Sequence, residues 1–267
     1  MGEVVQQTTT KMVERARSLR LRALIVQPPD FSTGIRATLG EFGFVPLRSS
    51  GIIDATMLMD VAGNWEAVMG RLSKSARWTL RRSERAGLAL DMGGESDLPL
   101  FYKLMLASCR RQGAKHSNPA SVAELRHLWS SLLPGRHIWL ALAKCEGQAV
   151  AGLLCICFGN RLTLWKKGWD GSHGNRLPNE SLTAFAYRWA NANGLNWVDL
   201  AAIDRAMGER ILTGKLLTSK DTASRYMFYV RLGGRPQLLP QPLIWFPNRT
   251  LRRLFYFSQL LARGLRP

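Results

Sequence analysis

Residues 71–88 read Arg-Leu-Ser-Lys-Ser-Ala-Arg-Trp-Thr-Leu-Arg-Arg-Ser-Glu-Arg-Ala-Gly-Leu. At roughly 100° per residue, Lys74, Arg77, Arg81 and Arg85 fall on one side of a helix, flanked by Arg71 and Arg82. Leu72, Ala76, Leu80 and Ser83 fall on the other side, and Trp78 projects from the basic face. Guanidinium and ammonium groups in that array bind phosphate, and an indole among them stacks with an arginine or with a base. The plainer reading is a solvated basic face whose Trp78 packs on a neighbouring element. The functional reading predicts that Lys74, Arg77 and Arg81 face a cleft. Other chemistries find less support. Cys109, Cys145, Cys155 and Cys157 form no C-x-x-C pair, and His116, His127, His137 and His173 are scattered, so no zinc set is expected. No Ser/His/Asp or Cys/His order stands out, which argues against a covalent enzyme intermediate.

The elements that must position these residues follow from periodicity and turn signals. A basic helix covers 10–20, a strand 23–26 stops at Pro28-Pro29, and a second helix covers 33–42. Thr56 to Met59 reads as a buried strand. One long helix is expected from the cap Asn64 to Gly87, then a strand over 88–91 and helices from Asp97 and across 120–132. From His137 a meander begins: strands 137–145, 149–158 and 161–168, joined by turns at Glu146-Gly147-Gln148 and Gly159-Asn160. Asn179 or Ser181 caps a helix ending near Gly194, and Trp197 to Leu200 is the next strand. Cys155 and Cys157, two apart in a strand, share one face and read as packing residues. The order is α/β with a mixed sheet, and the crossover helix makes 161–168 and 197–200 parallel neighbours.

The chain of 267 residues carries 37 Lys+Arg against 19 Asp+Glu, a formal net charge of +18, which favours phosphate-rich partners. No acidic residue follows Asp221. The first residues lack the apolar core of a signal peptide, and no window approaches the ~18 apolar residues of a membrane span. A soluble, cytoplasmic protein is expected, at most peripheral at the inner face of the membrane. The final segment sets Leu251, Leu254, Phe255 and Leu261 against Arg249, Arg252, Arg253 and Arg263. Such a basic amphipathic helix packs onto the domain or lies on an anionic membrane surface, and both readings stand.

The pattern Lys-x-x-Arg-x-x-Leu-Arg-Arg-Ser-x-Arg-x-Gly-Leu over 74–88 resembles a signature of FemABX-like transferases and related GNAT-domain proteins. Leu142 to Gly152 is similar to their Gly-containing hairpin. Leu177-Pro178-Asn179 opening a helix, then Ala190-x-x-x-Gly194-x-x-x-Val198-Asp199-Leu200, is similar to a later passage. The ordered set spans about residues 22–240. It implies an α/β (α+β) fold, a GNAT-like mixed sheet flanked by helices with a partial second GNAT-like half at the N-terminus. The expected divisions are 1–95 for that partial half ending in the basic helix, 96–247 for the C-terminal GNAT-like domain, and 248–267 for the amphipathic helix.

The resemblance implies an N-acyl- or aminoacyltransferase forming an amide on an amine of a cell-envelope, peptidoglycan or polysaccharide precursor. It implies no metal and no bound cofactor, the acyl donor being a co-substrate, either aminoacyl-tRNA or acyl-CoA. The partners are then anionic: tRNA, CoA or a lipid-linked precursor. Lys74, Arg77, Trp78 and Arg81 would contact that substrate, Asp199 or Asp204 would orient the amine, and Glu180 and the strand Trp165-Lys166-Lys167 would lie on adjacent elements. The helix N-terminus at Asn179 would suit an anion. Two departures stand out. The acyl-CoA loop signature is missing from Asp170 to Pro178. Aligning on Arg231-Leu232-Gly233-Gly234 puts Phe228 and Tyr229 where the family carries Phe-Lys, so a phenol replaces the usual cation, with Lys215, Lys220 or Arg225 as candidate substitutes. Tyr229 is either part of the site or a core residue of a strand over 226–231. Two rival readings remain: an acyl-CoA-dependent GNAT N-acyltransferase, and a non-catalytic RNA- or membrane-binding module.

Overall fold

The structure, a computed structural model, describes residues 2–30, 32, 34–47, 52–114, 117–224, 226–248, 250–255 and 257. In chain order the elements are α1 (Gly2–Ser18), β1 (Leu24–Val26), α2 (Ile35–Glu41), β2 (Val45–Pro46), β3 (Ala55–Asp60), α3 (Trp65–Arg71), α4 (Lys74–Glu84) and β4 (Ala89–Gly93). Then follow α5 (Leu98–Arg111), α6 (Val122–Leu132), β5 (Ile138–Cys145), β6 (Gln148–Phe158), β7 (Arg161–Trp169), α7 (Pro178–Ala192) and β8 (Trp197–Ala202). The chain closes with α8 (Arg205–Leu212), α9 (Ser219–Thr222), α10 (Met227–Arg231), β9 (Arg235–Leu238) and β10 (Leu243–Trp245). A further helical stretch begins at Thr250. The part of the expected C-terminal helix from 258 on, and Arg225 and Arg249, lie outside the described residues.

Two compact units emerge, one of residues 1–55 with 238–267, the other of 56–237. The expected boundary at 95 falls inside the second unit, because β4 pairs with β5 from Ala89↔Lys144 to Gly93↔Leu140. In the first unit β10 lies between β1 and β2, antiparallel to both, over a core that includes Val13, Leu39, Phe44, Leu243 and Trp245.

The second unit carries a seven-stranded sheet in the order β4-β5-β6-β7-β8-β3-β9. The expected meander is present: β5, β6 and β7 run antiparallel, and β7 is parallel to β8. Glu146 and Gly147 both take positive φ (51° and 80°), as a two-residue hairpin closing Cys145 on Gln148 requires. On one face α5 and α6 bury Phe101, Met105, Leu125 and Trp129 against Ile138, Leu140, Leu142 and Leu154. Each such side chain stabilises the fold by about 1.5–3 kcal/mol relative to exposure. Gly168 makes this approach possible, since a Cβ there would sit 2.6 Å from the Met105 backbone nitrogen. Cys155 is buried as expected, and Cys157 partly so.

The single helix expected over 64–87 is two. Leu72 turns extended (ψ 148°), and Ser73 caps α4 by accepting from the Ala76 N–H at 3.2 Å. The helical period runs unbroken across this joint, so only the cap chemistry of Ser73 marks it. Neither Asn179 nor Ser181 caps α7. The cap position is Leu177, in the left-handed conformation (φ 55°), and Ser181 instead lies 3.0 Å from the Ser83 carbonyl, tying α7 to α4. Residues 227–231 form a helix, which removes the strand alternative for Tyr229. Among the described residues no helix is long and apolar enough to cross a membrane.

Candidate active site

Strands β7 and β8 pair only over Arg161↔Trp197, Leu162↔Val198 and Thr163↔Asp199, and then part. Two irregularities widen the gap. The β6–β7 register shifts between Leu154 and Cys155, leaving Trp165 as the extra residue of β7. The β3–β8 register shifts between Thr56 and Leu58, adding a residue to β8 near Ala201. Bulges of this kind bend a strand and re-aim its side chains. Beyond them opens a cleft of about 560 Å³, walled by β7, the end of β8, α5, α10 and the first turn of α7.

Ala201 lines that cleft at φ 87°, outside the regions that suit a residue with a Cβ. Asp199 holds it there. Its Oδ1 accepts from the Ala201 N–H at 3.0 Å and from the Thr56 hydroxyl at 2.5 Å, and its Oδ2 lies 3.6 Å from Arg161. Asp199 is therefore buried behind the site, engaged in holding the bulge. Strain of this type costs about 1–3 kcal/mol and persists when its surroundings over-determine it. Ala201→Gly, which relieves it, is expected to raise stability by about 1 kcal/mol in chemical denaturation. An unchanged midpoint would mean that the backbone is not strained.

Four predicted residues meet in the cleft: Trp165, Lys167, Asn179 and Tyr229. The Lys167 ammonium lies among them. It donates to Thr183 Oγ1 at 3.1 Å and lies 4.6 Å from the ring centroid of Phe228 and 5.3 Å from that of Tyr229. Burial pushes its pKa from the usual 10.5 down to about 8, opposed by the nearby Cys155 and Glu180. Lys166, over the Trp165 ring at 4.9 Å, is also lowered by burial. Arg111, 4.7 Å from the Trp169 ring, is a third cation on the wall, and no carboxylate lines it among the described residues. The sequence carried no signal for Arg111, which ends a helix 50-odd residues from β7. Where sequence alignment finds a cation missing at Tyr229, the Lys167 ammonium lies against the ring of Tyr229 itself.

The other predicted residues are placed elsewhere. Asp204 caps α8, accepting from the Met207 N–H at 3.0 Å. Lys215 and Lys220 are exposed and line no described cleft. On α4, Ala76, Leu80 and Ser83 are buried as expected. Lys74 is exposed, and Arg77 turns inward to donate to the carbonyls of Leu72 (2.7 Å) and Met69 (3.3 Å), closing the end of α3. Trp78, Arg81, Arg82 and Arg85 do line a groove, with Asn175 and Arg176 opposite. Glu180 lines an adjoining cleft with Trp78, Arg82 and Phe228. No group of three or more His, Cys, Asp or Glu among the described residues is placed to hold a metal ion.

Comparison with known proteins agrees with this geometry. Residues 71–207 match the family model described as acetyltransferase (GNAT) domain. Among solved structures, FemX superposes with a TM-score of 0.78 at 13% identity, over 95% of this chain and 79% of FemX. The C-terminal domain of a putative lysylphosphatidylglycerol synthetase from Agrobacterium fabrum gives 0.55 at 14% identity, over 96% of this chain and 77% of that one. L-PGS from Bacillus licheniformis gives 0.55 at 13% identity, over 94% and 76%. No curated protein matches in sequence. At these identities the superpositions speak for the fold, and the family match covers just over half of the chain. The chain belongs to the GNAT acetyltransferase-domain family: it is an acyltransferase with a FemX-like fold.

Proposed function

We propose that the protein is an N-acyltransferase of the aminoacyl-transferring kind, forming an amide on an amine of a cell-envelope or polysaccharide precursor. The observation that carries this reading is the desolvated Lys167 ammonium in a cleft whose described walls hold cations and no carboxylate. In amide formation the amine nitrogen attacks the acyl carbon, the carbonyl oxygen becomes an oxyanion, and the C–O or C–S bond to the carrier then breaks. An ammonium in a water-poor site stabilises that oxyanion far more than it would in bulk water. At a pKa of about 8 Lys167 is mostly charged at neutral pH, as this role requires.

The amine needs a proton acceptor, and Glu180 supplies one. It sits in the first turn of α7, in the adjoining cleft that shares Phe228 with the Lys167 cleft. A carboxylate in that turn already occupies the favourable field of the helix N-terminus. The end of α7 therefore suits an amine better than a pyrophosphate, which favours an aminoacyl ester over acyl-CoA as donor. The attacking amine gives its proton to Glu180, which passes it to the departing carrier oxygen. FemX-like and lysylphosphatidylglycerol synthetase-like folds along nearly the whole chain support this class of reaction. With a lipid-linked acceptor the reaction belongs at the cytoplasmic face of the membrane, where the exposed Leu251 and Leu254 beside Arg253 would meet anionic headgroups.

The test offers the purified protein an aminoacyl-RNA or an acyl-CoA together with amine-bearing envelope precursors, and follows amide product by mass spectrometry. Amide from the aminoacyl ester, with Glu180→Gln lowering kcat by roughly 10²–10⁴-fold, is the expected result. Amide from acyl-CoA alone replaces the donor assignment. No amide from either donor overturns the assignment of an envelope-precursor amine as acceptor.

A further inference from the structure

The unit formed by residues 1–55 and 238–267 has a cavity of its own, about 690 Å³, which the acyl-transfer cleft does not use. Its walls come from the turn between α1 and β1 and from the segment after β10, including Phe246 and Leu251. Residues 19–22 of that turn read Leu-Arg-Leu-Arg. The Leu21 N–H bonds back to the Ala16 carbonyl at 2.9 Å, closing α1 through a left-handed residue, and that residue is Arg20 at φ 51°. Glycine takes such a position at no steric cost, whereas an arginine there bears one. Arg17, Arg20 and Arg22 all line the cavity, and among the described residues no carboxylate does. Among the described residues none of the three makes an ion pair. Beside them the stretch from Thr250 is fastened by Phe255, whose ring lies 5.2 Å from that of Phe246. Leu251 and Leu254 stay in water at 50% and 63% exposure, and Leu19, Leu21 and Ile25 are exposed as well. Clustered cations repel one another, and aliphatic side chains gain by leaving water. A ligand with a phosphate at one end and hydrocarbon at the other answers both.

We infer that this cavity seats the headgroup of an anionic phospholipid within a bilayer, its phosphate on Arg17, Arg20 and Arg22 and its first acyl carbons against Leu21, Leu251 and Leu254. Guanidinium groups grip phosphate through paired hydrogen bonds, and leucines beside them enter the boundary between headgroups and chains. A nucleic acid fits less well. Among the described residues the one ring on the cavity wall, Phe246, is buried, so a base has no exposed face to stack on. A free phosphate would meet the arginines and leave the leucines in water. The lipid held here is a tether and undergoes no reaction. Its purpose, bringing the enzyme to a lipid-linked acceptor, rests on the acyl-transfer reading, whereas the binding of lipid does not.

Co-sedimentation of the intact chain with phosphatidylcholine vesicles, with and without phosphatidylglycerol, tests the assignment. Binding is expected only when phosphatidylglycerol is present. Arg20→Gln with Arg22→Gln is expected to weaken it roughly twenty- to thirtyfold, about fivefold for each charge removed. Leu251→Ser with Leu254→Ser is expected to weaken it by roughly tenfold, since hydrocarbon contact is lost while every charge remains. All four residues are exposed, so melting temperatures should stay in place, which the same preparations check. Arg20→Gly separates function from fold most sharply: it relieves the left-handed residue and is expected to bind vesicles roughly fivefold more weakly without melting earlier. Three results each overturn the inference: no dependence on phosphatidylglycerol, binding that the arginine variants leave unchanged, or binding that the leucine variants leave unchanged. The last of these would mark a purely electrostatic surface, of the kind that meets a nucleic acid or an acidic protein. If vesicle binding fails while amide still forms on a water-soluble acceptor, only the tether falls. If vesicles bind as expected and Lys167 proves dispensable, the acyl-transfer reading falls and the lipid site stands.

Discussion

Replacing Lys167 with methionine is expected to slow acyl transfer by roughly 10²–10³-fold, the loss that follows removal of one oxyanion-stabilising donor. The same change is expected to make the protein more stable. A lysine whose pKa falls from 10.5 unfolded to about 8 folded carries its charge into the native state at a cost on the order of 3 kcal/mol. Below pH 8 that cost is present in full. As pH rises from 8 to 10.5 the unfolded chain still binds the proton that the folded one has lost, so wild-type stability rises and the advantage of Lys167→Met shrinks. Activity should move the other way: a charged Lys167 predicts a loss of turnover as pH climbs through about 8. Denaturant midpoints and pH–rate profiles on the two proteins decide the matter. A methionine variant that is both less stable and equally active would mean that Lys167 is a packing residue.

A second large effect is expected at Tyr229. Putting lysine there restores the residue that the family resemblance calls for, yet the structure already holds an ammonium 5.3 Å from the Tyr229 ring. Two ammonium groups about 5 Å apart repel by on the order of 3 kcal/mol at an effective dielectric near 20. One of them would lose its proton at neutral pH, so Tyr229→Lys alone is expected to lower turnover by roughly ten- to a hundredfold. Combining it with Lys167→Met moves the single cation from β7 to α10. That double variant is expected to regain at least about tenfold over Lys167→Met alone, the pattern of two residues sharing one role. If the double variant is no better than Lys167→Met, positions 167 and 229 do not present a cation to the same place.

This pair shows where the sequence was legible and where it was not. The β5–β6–β7 meander could be read because alternation and the Glu146-Gly147 turn are local signals, and the parallel partner β8 followed from the length of the crossover through α7. The amphipathic face of α4 was equally plain. Lys167 and Tyr229 each stand out in the sequence, but nothing local says that a lysine on one strand lies against a ring 62 positions later. Asp199 looked available for chemistry because a strand-end carboxylate carries no mark of its partners, and Thr56 lies 143 residues away in sequence. Arg77 shared the helical spacing of Arg81, yet the break at Leu72-Ser73 gave it exposed carbonyls to satisfy. The short apolar run Met227-Phe228-Tyr229-Val230 is too brief for periodicity to separate strand from helix, and tertiary context decided for helix.

The placement of β10 between β1 and β2 has a consequence for how the chain is made. The two outer strands of that small sheet are translated first, whereas the strand that joins them is built from Leu243–Trp245. At a synthesis rate of roughly 5–20 residues per second, β1 and β2 wait about 10–40 s for their common partner. Throughout that interval Leu39 and Phe44 lack the Trp245 against which they are buried in the finished unit. The nascent N-terminal segment is then expected to stay sensitive to protease until Leu243–Trp245 has emerged.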